Sequence, residues 1–138
     1  MVGHLIRVEV FTSFNKLFTL LSEKFGKIFH IAFKTEKGRK IGFILGEKLY
    51  LSTTSVVGLV IIIEEIESDK QKVDLISFAG GAGLLKLSLG THISYIRDVL
   101  IFLENNGVQF RELMEIGFLS RKKLPEDVRK NLERILSH

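Results

Sequence analysis

Ala79-Gly80-Gly81-Ala82-Gly83, followed by Lys86, is the stretch whose residue types come nearest to ligand chemistry. Glycines let a backbone approach a phosphate closely, and a lysine can meet its charge. The spacing departs from both nucleotide patterns. G-x-x-x-x-G-K-[ST] is absent, and Gly81-Ala82-Gly83 begins a G-x-G-x-x-G pattern in which Lys86 stands at the third glycine. Leu85-Lys86-Leu87-Ser88-Leu89 alternates as a strand does and stops at Gly90, too soon for a docking helix. The stretch therefore reads as a glycine-rich hairpin. Gly80, Gly81, Gly83 and Lys86, with His92 at the start of a following helix, are the ligand-binding candidates.

Other chemistry is sparse. His4, His30, His92 and His138 lack the short spacing of a metal motif. Strand parity sets His4 with Ile6 and Val8 but His30 opposite Phe29 and Ile31, so the two are expected on different faces. Glu64, Glu65, Glu67 and Asp69 form the main acidic cluster, and alternation sends Glu64 and Glu65 to opposite faces. That suits a charged strand end better than an acid–base pair. Asp74 lies in an apolar strand and is assigned a solvent-side position. No G-x-S-x-G elbow surrounds any serine. Lys34, Lys37, Arg39 and Lys40 gather at one turn, and Arg121, Lys122 and Lys123 before the last helix. A nucleic-acid surface would need these joined, with exposed aromatics, whereas most Phe fall on parities read as core-facing. No catalytic residue, metal ligand or cofactor is assigned.

The elements that must position these residues follow from periodicity. Leu5–Val10 alternates as a first strand, and Thr12 or Ser13 offers an N-cap. Phe14, Leu17, Phe18, Leu21, Phe25 and Ile28 recur at helical spacing, with the helix ending near Gly26. Residues 29–34 and 41–45 form strands around a turn at Glu36-Lys37-Gly38, and Gly46-Glu47 is a second turn before a strand at 49–51. Val56–Ile63 is apolar throughout apart from Gly58, and a hairpin at Ser68–Gln71 leads to Val73–Phe78. Ile93, Ile96, Val99, Leu100 and Leu103 give a second helix stopped at Asn105-Asn106-Gly107. Phe110, Leu113, Met114 and Ile116 predict a short third helix ending at Gly117. Pro125 can open a last helix with Val128, Leu132, Ile135 and Leu136 on one side.

The order predicts an α+β fold, a mainly antiparallel sheet of about six or seven strands with two main helices on it. Residues 1–107 are read as the sheet domain and 108–138 as a two-helix tail, packed on that domain or on a partner. The chain has 138 residues and no cysteine, which fits one domain in a reducing compartment, here taken as the cytoplasm. No apolar run reaches the ~20 residues of a membrane span. A net charge of +4 is spread along the chain, and fifteen Ile with one Pro would suit a thermophile.

Val56–Ile63 carries the functional expectation. A strand covered on one face should alternate; this one does not, so both faces need cover. Two helices can cover one face; the tail or a second copy must cover the other. The first expectation is a non-enzymatic binding or assembly module, a homo-oligomer with a dimer as first choice. The alternatives are a small-ligand protein or enzyme with a pocket near Gly80–Lys86, and a weak nucleic-acid binder.

Overall fold

The computed structural model describes residues 2–50, 55–79, 91–119 and 124–137. Alternating residues build β1 (Val2–Phe11), and Ser13 then caps α1 (Phe14–Phe25), its hydroxyl accepting from the Lys16 amide at 3.3 Å. A hairpin follows, β2 (Phe29–Lys34) and β3 (Lys40–Tyr50), with Gly38 at φ 82 in its turn. β4 (Ser55–Glu67) and β5 (Lys70–Ala79) form the expected second hairpin. α2 (Thr91–Asn105) ends where the Asn-Asn-Gly signal placed its stop. Gly107, at φ 71, lets its amide reach the Glu104 carbonyl while the Val108 amide reaches Leu103. Val108 and Leu103 are both buried, the apolar contact that accompanies this cap. β6 (Gln109–Leu119) and α3 (Glu126–Leu136) complete the described chain.

The six strands lie in the order β2-β3-β4-β5-β1-β6, every neighbour antiparallel. The α+β class and the antiparallel sheet are as the periodicity predicts. α1 packs on β3 and β4, and α2 on β5, β1 and β4, so both cover the same face. The core lies between them. Ile6, Val8, Val10, Ile44, Val57, Leu59, Ile61, Ile63, Val73 and Leu75 come from the sheet. Leu17 and Leu21 come from α1; Ile96, Val99 and Leu103 come from α2. Each fully buried aliphatic side chain is worth about 1.5–3 kcal/mol over its exposed state. Gln71 is fully buried beside them, its amide donating to the Thr12 and Glu67 carbonyls at 3.0 Å each.

Three expectations are corrected. The helix predicted over 110–116 is the sixth strand. Arg7 faces Met114 and Val8 faces Glu112, so Leu113 is an extra bulge residue. The bulge breaks the period of two and leaves Phe110, Leu113 and Met114 at the three-and-four spacing of a helix. The segment 108–138 thus gives the sheet a strand, with α3 its only helix among the described residues. There is also no turn at Gly46-Glu47, because β3 runs unbroken through them. Gly46 is a packing glycine: a Cβ there would lie 2.3 Å from the Phe25 carbonyl and 2.9 Å from the Tyr95 hydroxyl. Finally, Ile28 is not on the helix but exposed beyond its end.

Candidate assembly surface

The second face of the sheet carries no helix among the described residues. Val57, Leu59, Ile61 and Ile63 of β4 face the helices and are at most 1% exposed, whereas Val56 on the other side is 50% exposed. Cross-strand register fixes which residues share that open face, since facing partners point the same way. One row runs Phe29, Leu45, Val60, Ile76, Leu5 and Ile116 across all six strands. The next runs Ile31, Phe43, Ile62, Asp74, Arg7 and Met114. On the other flank Phe78 and Phe118 lean over the glycines opposite them. A Cβ at Gly58 would stand 2.5 Å from the Phe78 ring, and one at Gly3 2.1 Å from the Phe118 ring. Two rings thus shield bare backbone. A groove of about 320 Å³ remains there, its walls including Ile28, Leu45, Val56, Val60 and Phe78.

Apart from Glu47 opposite Gly58, the charge on this face gathers on one side and is internally matched. Arg7 grips Asp74 in a two-point contact at 2.6 and 3.1 Å, and this hydrogen bond holds the guanidinium pKa above its ordinary value. Asp74 is therefore ion-paired inside the apolar rows. Glu64 sits between Lys72 at 2.9 Å and Arg39 at 3.0 Å. The Lys72 hydrogen bond is the main cause that keeps the Glu64 carboxyl pKa low. Glu9 and Arg111 close the row at 2.9 Å.

The structure accounts for several residues that the sequence singles out. Glu64 and Glu65 do part to opposite faces; Glu65 accepts the Lys40 backbone amide on the helix side, at 3.2 Å. Of the basic group at the β2–β3 turn, Arg39 is engaged with Glu64 and Lys40 with Asn15. A concavity of about 900 Å³ between the two hairpin turns is lined by Lys37, Arg39, Glu64 and Glu65 and by Glu67, paired with Lys70. Gly80, Gly81, Gly83 and Lys86 lie outside the described residues, as do Arg121, Lys122 and Lys123. His92 falls in the first turn of α2, and its side chain is likewise outside.

Two side-chain expectations change. His4 and His30 are on the same face, that of the helices, because His30 is opposite Ile44. Three strands lie between theirs in the sheet order, with His4 bonded to Glu115 at 2.6 Å and His30 to the Gly26 carbonyl at 2.9 Å. By the same parity Phe29, Ile31 and Phe33 face the open side, each about half exposed, and are not core residues. The missed signal was Ala32 and Gly42, the small residues that face each other beneath α1.

Among the described residues no group of three His, Cys, Asp or Glu is placed to hold a metal ion, and no helix is long and apolar enough to cross a membrane. No protein-family model and no characterised protein matches the chain.

Proposed function

We propose that this protein is a self-associating, non-enzymatic assembly module whose open sheet face is closed by a second copy of the chain. The observation that carries the reading is the apolar row that crosses all six strands with no helix over it among the described residues. At about 4.8 Å per strand and 3.3 Å per residue, the two rows that cross all six strands, with the five-strand row of Gly58, Phe78 and Phe118, give a footprint of roughly 540 Å². That is at the upper end of the ~300–600 Å² of the largest, often functional, patch on a monomer, and about two thirds of the ~800 Å² per partner of a standard interface. The matched charges of Glu64, Lys72, Glu9 and Arg111 would lie towards the rim, as polar groups do at stable interfaces, while Arg7 and Asp74 enter the interface already paired with each other. Among the described residues α3 buries none of its side chains, which favours a second copy over the tail as the cover.

The test is molar mass by light scattering on a sizing column. A wild-type dimer or larger assembly is expected, reduced in mass by Val60→Glu with Ile62→Lys while the far-ultraviolet spectrum stays native. A wild-type monomer at high micromolar concentration would end the proposal.

A further inference from the structure

We infer that β2 is a second docking element, independent of the open face, which pairs antiparallel with β2 of another copy about a two-fold axis at Ala32. β2 and β6 are the two edges of the sheet, and β6 is the more strongly blunted. It carries the bulge at Leu113, and its Glu112 and Glu115 point to the helix side. Bulges and inward charges are devices that discourage strand addition. β2 has no bulge. Its six residues are all exposed, and three of them are Phe29, Ile31 and Phe33.

The hairpin register tells which backbone groups of β2 look outward. The Thr35 amide donates to the Arg39 carbonyl at 2.8 Å, so Thr35–Arg39 is a bonded pair. Bonded and non-bonded pairs alternate along an antiparallel ladder. Phe33, Ile31 and Phe29 therefore bond to β3, while Lys34, Ala32 and His30 turn their N–H and C=O groups away from it. The Lys40 amide, opposite Lys34, accordingly points the other way, to Glu65. Among the described residues nothing takes up the outward groups of His30, Ala32 and Lys34.

This spacing is self-complementary. With Ala32 opposite Ala32 of the second copy, His30 faces Lys34 and Lys34 faces His30, and each facing pair exchanges both of its hydrogen bonds. Ala32 brings only a methyl group to the axis, so the two strands can approach at normal ladder distance. On the open face the same register sets Ile31 beside Phe33 of the other copy. The apolar rows then continue from one sheet into the next.

Ala32→Pro tests the contact, because it removes an outward N–H and leaves the inward ladder to β3 intact. Ala32→Lys, which sets two charges at the axis, is the second variant. Both are expected to halve the assembled mass. In the wild type, hydrogen exchange at the Ala32 and Lys34 amides is expected to be slow in the assembly and fast on dilution. Unchanged mass in both variants, with native circular dichroism, would overturn the edge contact; so would fast exchange of these amides at every concentration. The open-face variant separates the two readings. Val60→Glu with Ile62→Lys should lower the mass yet leave the Ala32 and Lys34 amides protected.

Discussion

Glu64 shows how single residues on this surface are tuned. Its carboxylate bridges Lys72 and Arg39 at the rim of the open face, and the Lys72 hydrogen bond lowers its pKa from the ordinary 4.5. A carboxyl with a lowered folded-state pKa stabilises the protein above its unfolded-state value, and that contribution is lost as pH falls through the folded-state value. Glu64→Gln should thus cost up to ~1 kcal/mol near neutral pH, a magnitude set by partial exposure. The gap from wild type should close in acid, below 4.5. Denaturant unfolding of both proteins at the two pH values checks this; a gap that persists in acid would show that the charge is not its source. The sequence put Glu64 correctly at a charged strand end. Its two partners come from other strands, Arg39 before β3 and Lys72 in β5, and only register could supply them.

At the scale of elements, β4 is the clearest case of what a sequence pattern does and does not reveal. Its unbroken apolar run announced two faces in need of cover. It could not say which parity meets the helices, because Val, Leu and Ile occupy both. The structure divides them: Ile61 is fully buried under the helices, and Ile62 belongs to the open rows. Ile61→Thr should cost about 2–4 kcal/mol through lost methylene burial and a hydroxyl in the core. Ile62→Thr should cost the monomer well under ~1 kcal/mol, yet weaken association. Thermal unfolding and sedimentation on the same pair of variants distinguish the two sites, and equal losses of stability would refute the division. β6 was misread for a different reason. One inserted residue, Leu113, imposed helical spacing on a strand. The two main helices were legible because their apolar stripes and end signals, Ser13 for α1 and Asn-Asn-Gly for α2, agree with each other.

For the whole molecule, cover and its absence decide the expectations. The helix-side core is closed by α1 and α2, while α3 has an apolar side and buries nothing. Removing residues from Leu124 onward should therefore leave the stability of the monomer nearly unchanged, within ~0.5 kcal/mol. A large drop in a calorimetric scan would show that α3 does pack. The candidate ligand loop at Gly80–Lys86 was the sequence's most chemical feature, but the sheet's open rows, half-buried in the middle and exposed at β2, are where the described residues concentrate unmet apolar surface. One topological fact also bears on how the chain is made. β1 lies between β5 and β6, so Arg7 finds its ladder partners at Asp74 and Met114. Of the described strands β1 leaves the ribosome first, yet it is enclosed last. The β2–β5 meander can zip hairpin by hairpin as it emerges, whereas β1 stays bare on one or both edges until β6 arrives. Such distant pairings slow folding, and for this chain they make the final strand the step that ends a nascent sheet's exposure.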